Sequence, residues 1–201
     1  ADACGWDSIQ VADAPFFPEV TSAPYPYTPD GIRFWPLDLP VLDPWVAITA
    51  MATVTKRIRF IPSVLRLAIR QPLLEAKSLC SVAAISNDRV ALGVGLAWMP
   101  EEFKWLNQDM KTRGARQNEA IQIIRLLMEG GMVEFHGKYY DFDRLTMAEA
   151  GAGVTDNRGR PPGVQVWNCA ADQTVTAFDY GSPTEPLRPI TIRAGRNSVF
   201  S

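Results

Sequence analysis

The stretch DRVALGVGLAWMPEEF, residues 88–103, decides which kind of fold this chain adopts. An apolar run ends in a Gly-x-Gly turn at Gly93 and Gly95 and continues into a segment that predicts a helix. A dinucleotide-binding loop requires Gly-x-Gly-x-x-Gly and an acidic residue about 20 positions later. Trp98 occupies the position of the third glycine, so this fingerprint is incomplete. The stretch therefore predicts a strand followed by a helix in another kind of α/β fold.

Strands and helices alternate on both sides of this stretch. Strands are predicted at residues 7–13, 57–65, 89–97 and 163–170, and helices at 42–57, 70–86 and 114–131. Asp43 and Pro44 are a typical N-cap and first helical residue, and Lys56 with Arg57 is a typical basic helix end. Gly130 ends the third helix, whose apolar face consists of Ala120, Ile123, Ile124, Leu127 and Met128. A hairpin is predicted with its turn at His136.

This alternation predicts a parallel sheet with right-handed crossovers. Two features favour a (β/α)₈ TIM-barrel type over a doubly wound sheet. No strand ends in a complete phosphate-binding loop, and the first strand is followed by a long segment without helical pattern, residues 14–40. Barrel enzymes build their active sites from such loops at the carboxyl ends of the strands. Only about half of the barrel's eight strands can be recognised in this chain.

The aromatic loop, as we call residues 14–40, is the predicted wall of a substrate pocket. It is rich in proline and in aromatic residues. The aromatic side chains that we expect to enclose an apolar substrate are Phe16, Phe17, Tyr27 and Trp35. A surface loop fixed by its prolines is the alternative interpretation.

Composition excludes several classes of function. The chain has 47% hydrophobic and 21% charged residues, a formal net charge of -2 and a pI near 5.5, so nothing indicates binding to nucleic acid or to an acidic membrane. No apolar run is long enough for a membrane span, and the first residues do not resemble a signal peptide. Cys4, Cys80 and Cys169, with the single His136, form no zinc pattern. We expect a cytoplasmic protein without a metal.

The ordered set of segments between residues 5 and 150 resembles the luciferase-like monooxygenase superfamily. Within it, the set resembles the oxidoreductases that depend on the deazaflavin coenzyme F-420. The segments are GWDSIQVAD, LDPWVAITAMATVTKRIRF, SVLRLAIRQPLLEAKSLCSV, DRVALGVGLAWMPEEF, KTRGARQNEAIQIIRLLMEGG and VEFHGKYYDFDRLTMAEA. The resemblance implies a (β/α)₈ barrel that binds a deazaflavin or flavin ring and transfers a hydride or activates oxygen.

The resemblance also implies which residues contact the cofactor. Ser63 and Val64 stand where the family often has a non-proline cis peptide that supports the ring. Gly93 and Gly95 would let the backbone approach the cofactor closely, and Trp98 matches the family pattern Gly-Val-Gly-x-Gly-Trp. The full expected set is Asp13, Ser63, Val64, Gly93, Gly95, Ala97 and Trp98. Coenzyme F-420 is favoured by the SVL and GVGLAW contexts, and FMN is the alternative.

Two departures from the family pattern affect the expected chemistry. Many relatives read Asp-His after the first matched strand, whereas this chain has Asp13 and Ala14, and alanine cannot transfer protons. Ala97 replaces the third glycine of the family turn. No catalytic residue can be assigned with these changes. Asp13 and Glu102 are the candidates, and Glu101 and Glu102 also suit the start of a helix.

Three further polar residues match a family segment at the start of the helix at residues 114–131. Arg113, Arg116 and Glu119 are interpreted mainly as a structural ion-pair cluster. His136 is interpreted as a turn residue.

The resemblance ends near residue 169. We expect a partial barrel domain at residues 1–169 and an atypical tail at residues 170–201. Because an open parallel sheet exposes its edges, we expect this chain to be metastable or a homo-oligomer. The predicted function is an oxidoreductase acting on a small, partly apolar substrate. The alternative is a truncated, non-catalytic remnant that binds flavin weakly or acts as an assembly surface.

Overall fold

The computed structural model describes residues 2–147 and the backbone of two strands, Val166–Cys169 and Val175–Phe178. The remaining parts of the predicted tail, residues 170–174 and 179–201, lie outside the described residues. The strands are β1 (Ser8–Val11), β2 (Arg59–Pro62), β3 (Leu92–Val94), β4 (Val133–His136), β5 (Asp141–Leu145), β6 (Val166–Cys169) and β7 (Val175–Phe178). The helices are α1 (Pro44–Thr53), α2 (Pro72–Ser86), α3 (Pro100–Trp105) and α4 (Arg113–Glu129).

Four parallel strands lie side by side in the order in which they occur along the chain. β1 pairs with β2 and β3 pairs with β6, both in parallel register. Parallel bridges from Phe60 to Val90 and from Leu65 to Val94 join β2 to β3. Helices connect these strands, so the arrangement is that of consecutive units of a (β/α)₈ barrel. The predicted TIM-barrel type of fold is confirmed for this part of the chain.

β7 departs from the barrel pattern, because it pairs antiparallel with β6. Its residues, Val175–Phe178, belong to the segment that we expected to be an atypical tail. A barrel built from β/α units contains parallel strands. The tail therefore contributes an antiparallel strand to the sheet that β3 and β6 form.

Two of the three helices that begin with proline, α1 and α2, are fixed by side chains at their first turns. Asp43 Oδ1 accepts hydrogen bonds from the amides of Trp45 at 2.9 Å and Val46 at 3.2 Å, as an N-cap does. Gln71 caps α2 through the amide of Leu73 at 2.7 Å. The predicted basic end of α1 is wrong, because the helix already ends at Thr53. The amides of residues 56–58 instead donate to the Asp2 carboxylate at 2.8–3.0 Å.

The core lies between the helices and the parallel strands. The predicted apolar face of α4 is buried throughout, since Ala120, Ile123, Ile124, Leu127 and Met128 are each at most 8% exposed. They belong to the same cluster as Phe60 of β2 and Leu79 of α2. No helix in the described part of the chain is long and apolar enough to cross a membrane.

The polar residues around α4 support neighbouring segments. Glu119 accepts hydrogen bonds from three consecutive amides of the hairpin turn, those of residues 138–140, at 2.9–3.2 Å. Arg116 donates to the carbonyl of Asp109 at 2.9 Å, and Arg113 donates to that of Met110 at 2.8 Å. Each of these residues supports a neighbouring segment through hydrogen bonds to its main chain, which are not the ion pairs that we expected. His136 ends β4 at the hairpin turn.

Gly93 and Gly95 allow β3 to lie close to β2. A Cβ at Gly93 would collide with the carbonyl oxygen of Pro62, and a Cβ at Gly95 would collide with the side chain of Val64. The first obstacle is main chain and cannot move without the strand. The second is a side chain that can be shortened by mutation.

We expect Gly95→Ala to lower the free energy of unfolding by about 1–3 kcal/mol, because the added methyl group overpacks a buried position. Adding Val64→Ala should recover at least half of this loss, whereas the same second change should not rescue Gly93→Ala. Urea denaturation of the single and double variants gives the coupling energy directly. Equal coupling of Val64 to both glycines would contradict this packing.

Candidate active site

A non-proline cis peptide joins Ser63 and Val64 at the carboxyl end of β2. The resemblance implied this bond, and the structure contains it. The amide of Ser63 donates to the carbonyl of Val11 at 2.8 Å, which ties the bend to the end of β1. Ser63 is exposed and Val64 is half-buried. We call residues 63–66 the bend segment, and its role in supporting a cofactor ring stays a prediction.

The turn after β3 lies directly against the bend segment. The amide of Leu65 donates to the carbonyl of Gly93 at 2.7 Å, and the amide of Gly95 donates to that of Leu65 at 2.9 Å. The predicted residues Ser63, Val64, Gly93 and Gly95 therefore lie together at one end of the strands. Both glycines permit a close approach to β2 and Val64. Their expected approach to the cofactor stays a prediction.

Ala97 and Trp98 complete the turn. Ala97 has φ of 59°, in the left-handed region where glycine is favoured, which explains physically why a glycine suits this position. Trp98 is half-buried, and its ring centre lies 5.3 Å from that of Tyr25 in the aromatic loop.

Asp13 is an anchor for the bend segment. Its side chain is buried just after β1, where Oδ2 accepts a hydrogen bond from the amide of Arg66 at 2.8 Å. Its Oδ1 pairs with Arg70 Nη2, also at 2.8 Å. Because both oxygens are engaged, the geometry suits positioning better than proton transfer. The predicted cofactor-binding and catalytic roles of Asp13 stay predictions.

Arg70 links Asp13 to the two helices α1 and α2. Its Nη1 lies 3.1 Å from Glu75 Oε1, and Glu75 Oε2 accepts a hydrogen bond from Trp45 Nε1 at 2.8 Å. Burial alone lowers the pKa of the Arg70 guanidinium, but Asp13 and Glu75 outweigh it and raise this pKa above its ordinary value. Sequence reasoning missed Arg70, Glu75 and Trp45. The signal that the sequence offered was the stretch RLAIR, in which Arg66 and Arg70 stand four positions apart directly after a predicted strand.

Glu102 contacts the same segment from the other side. Its side chain is fully buried, and Oε1 lies 3.3 Å from Arg66 Nη1. Burial raises the pKa of Glu102 to about 7, with Arg66 acting in the opposite direction and Asp13 adding to the increase. Arg66 is thus held by Asp13 at its amide and by Glu102 at its guanidinium. The ends of β1, β2 and β3 are joined through this one residue.

The aromatic loop packs over the segment between β3 and α3. Tyr25 lies at the centre of its rings, with centroids 4.9 Å from Trp35 and 6.0 Å from Phe34. The amide of Tyr25 donates to the carbonyl of Gly31 at 2.7 Å, and the amide of Ser22 donates to Glu101 Oε1 at 2.9 Å. These contacts hold the loop at the carboxyl end of β3.

Three of the four predicted pocket aromatics, Phe17, Tyr27 and Trp35, are connected by ring contacts with one another or with Tyr25. Phe16 lies 5.4 Å from Trp105, Phe17 lies 6.1 Å from Trp35, and Tyr27 is 72% exposed. A pocket of about 390 Å³ lies beside Asp13 instead, and none of the four lines it. Its lining residues are Asp13, Ala14, Pro15, Val41, Asp43, Ile69, Arg70 and Leu106. The start of the aromatic loop and the residue directly after the loop therefore border this pocket, which we call the Asp43 pocket.

Within residues 2–147, no group of three or more histidine, cysteine, aspartate or glutamate side chains is arranged to hold a metal ion.

We expect Ala97→Gly to raise the free energy of unfolding by about 1 kcal/mol, because glycine adopts the left-handed conformation without strain. Ala50→Gly is the matched control, since Ala50 is exposed in the middle of α1. There the same change should lower this free energy by about 1 kcal/mol. Urea denaturation measures both, and a loss of stability in Ala97→Gly would contradict the assignment.

Glu102 predicts a pH dependence of stability. Because its pKa in the folded chain, about 7, lies above the ordinary value of 4.5, folding takes up a proton between these values. The free energy of unfolding should therefore fall as pH rises from about 5 to about 8. The full shift corresponds to about 3 kcal/mol. We expect Glu102→Gln to lack this part of the pH dependence in urea denaturation across that range.

Glu101→Gln is the control for this measurement, because hydrogen bonding to Ser22 outweighs the effect of burial and lowers the pKa of Glu101. Its removal should leave most of this pH dependence in place, because Glu101 raises the pKa of Glu102 less than burial does. Parallel curves for the unmodified chain and Glu102→Gln would show that Glu102 does not titrate in this range.

Comparison with known proteins agrees with this geometry. The family model described as luciferase-like monooxygenase matches residues 1–177. An uncharacterized protein of Mycobacterium tuberculosis is 39% identical over 150 residues, which cover 75% of this chain and 52% of that protein. An F-420-dependent glucose-6-phosphate dehydrogenase of Amycolatopsis mediterranei is 35% identical over 106 residues, covering 49% and 31% of the two chains. This chain spans about half the length, 52%, of the mycobacterial relative.

Solved structures show the same fold. A monooxygenase from Streptomyces bottropensis superposes with a TM-score of 0.62 at 25% identity, covering 83% of this chain and 44% of that one. The oxygenating constituent of 3,6-diketocamphane monooxygenase from Pseudomonas putida, in complex with FMN, gives a TM-score of 0.58 at 19% identity. The superposition covers 82% of this chain and 42% of the Pseudomonas putida chain. The match of the family model over residues 1–177 shows that the chain belongs to the luciferase-like monooxygenase family.

Proposed function

We propose that this chain forms the cofactor-binding part of an oxidoreductase that uses coenzyme F-420. The observation that supports this proposal most is the main-chain contact between the bend segment and the turn at residues 93–98. Both lie at the carboxyl ends of parallel strands, where barrel enzymes bind ligands. The similarity to an F-420-dependent dehydrogenase favours the deazaflavin. FMN is the alternative, because the family also includes FMN-dependent members.

The residues present fit a flat, largely apolar ring. Ser63 is exposed beside the half-buried Val64, so the bend presents a surface that a ring can cover. Trp98 belongs to the turn that contacts the bend segment, and its ring packs against Tyr25. When bound, a deazaflavin supplies hydride transfer, and a flavin supplies either hydride transfer or oxygen activation.

The chain's own residues contribute position and exclusion of water. Asp13 and Glu102 hold Arg66 from two sides, which keeps the bend segment in place beneath the proposed ring. The aromatic loop covers the turn after β3 through Tyr25 and Trp98. Ala14 offers no proton-transfer group. Hydride transfer depends mainly on alignment and a dry site, so it does not require a histidine at this position.

The proposed substrate is small and partly apolar. The Asp43 pocket supports this proposal, because its volume of about 390 Å³ is within the range of small-molecule sites and it begins at Ala14, directly after Asp13.

The proposal is tested by titrating the purified chain with F-420 and, in parallel, with FMN, following the fluorescence of each cofactor. We expect saturable quenching by F-420 in the micromolar range. Trp98→Leu should weaken binding about five-fold, because one aromatic contact contributes about 1 kcal/mol. Trp6→Leu is the matched control, since Trp6 is 68% exposed and precedes the amino end of β1. Binding should be unchanged in this variant.

If only FMN binds saturably, the cofactor of this chain is FMN and not F-420. If neither cofactor binds, or if both tryptophan variants behave alike, the proposed site is wrong. The chain would then fit the alternative, a non-catalytic member of the family.

A further inference from the structure

The Asp43 pocket has a charge pattern that bears on its ligand. Three carboxylates, those of Asp13, Asp43 and Glu75, surround one guanidinium, that of Arg70. Only two of these carboxylates, Asp13 and Asp43, belong to residues that line the pocket. Arg70 could bind an anionic ligand in this pocket, and Asp43 could bind a cationic one.

Arg70 is already neutralised by buried partners. Its Nη2 lies 2.8 Å from Asp13 Oδ1 and its Nη1 lies 3.1 Å from Glu75 Oε1. The side chains of Asp13 and Glu75 are only 1% and 9% exposed, and Glu75 is fixed further by Trp45 Nε1 at 2.8 Å. An anionic ligand at this guanidinium would be repelled by the two buried carboxylates beside it or would have to displace one of them. That exchange is unfavourable.

Asp43 is the less satisfied carboxylate. Its Oδ1 accepts two helix amides, but its Oδ2 lies 3.8 Å from Arg70 Nη2, which is beyond hydrogen-bond distance. The side chain is 43% exposed where it lines the pocket. Because Asp43 itself occupies the first amides of α1, the helix start offers those donors to no other anion. Asp43 Oδ2 is therefore the group that can accept a hydrogen bond from a ligand.

The rest of the lining is apolar. Four apolar residues contribute to it. Pro15 belongs to the aromatic loop, Val41 follows that loop directly, Ile69 precedes α2 and Leu106 follows α3. A hydrocarbon group fits against these side chains, because burying apolar surface is favourable and these side chains have no hydrogen-bonding groups.

We propose that the Asp43 pocket selects neutral or positively charged substrates that carry an O–H or N–H donor on a short hydrocarbon chain, and that it rejects anionic ones. This inference rests on the proposed function, because it names the substrate class of the same site. Asp43 is then a specificity-determining residue that accepts the donor, while Asp13 and Glu75 keep Arg70 from attracting carboxylates or phosphates.

The test uses three ligands with one hydrocarbon tail: isoamylamine, isoamyl alcohol and isocaproate. Ligand-observed saturation-transfer NMR titrations at low ionic strength measure their binding to the full chain without cofactor. We expect the amine to bind at least about ten-fold more tightly than the carboxylate, with the alcohol between them. Asp43→Asn should reduce the preference for the amine over the carboxylate to about two-fold, because asparagine removes the charge and still caps the helix.

Asp38→Asn is the matched control, because Asp38 is an exposed carboxylate of the aromatic loop that does not line the pocket. It should leave the preference unchanged. Tighter binding of isocaproate, absence of binding by all three ligands, or equal effects of the two variants would overturn the inference. Because no cofactor is present, these outcomes do not depend on the F-420 and FMN titrations. A failure of specificity is thus distinguishable from a failure of the proposed function.

Discussion

The hydrogen bond from the Arg66 amide to the buried Asp13 carboxylate is the contact on which the arrangement of this site depends. It fixes the residues that follow the Ser63–Val64 cis peptide against the end of β1. Glu102 holds the guanidinium of the same arginine from the side of α3. Since a parallel sheet brings the carboxyl ends of its strands to one edge, three segments distant in sequence meet there. Buried charged groups that pair with each other therefore hold the strand ends together at this site. Elsewhere in the chain, apolar packing holds the strands and helices together.

In this arrangement different carboxylates neutralise Arg70 and face the pocket. Asp13 and Glu75 neutralise Arg70, and the network stabilises the site without leaving a cation exposed. Asp43 belongs to a helix cap, yet one of its oxygens lies beside a pocket. The physical difference between an anchoring and a selecting carboxylate is therefore the number of partners that each oxygen already has.

Much of the fold and part of the site could be predicted from local signals. Proline and aspartate at the start of α1, and the apolar period of α4, depend on neighbouring residues only. The cis peptide followed from resemblance over an ordered set of segments, and the structure has it at Ser63 and Val64. The end of α1 could not be predicted, because the distant Asp2 binds the amides that follow the helix. The arginine network was missed for the same reason.

The alternation of strands and helices and the aromatic loop could be predicted because they are properties of residue order and period, and the family was indicated by resemblance over an ordered set of segments. The contacts of Gly93, Gly95 and Asp13 depend on the tertiary structure. The glycines make room for β2 and Val64, and the carboxylate is occupied by Arg66 and Arg70. Such roles depend on distances between segments tens of residues apart, and no local pattern records those distances.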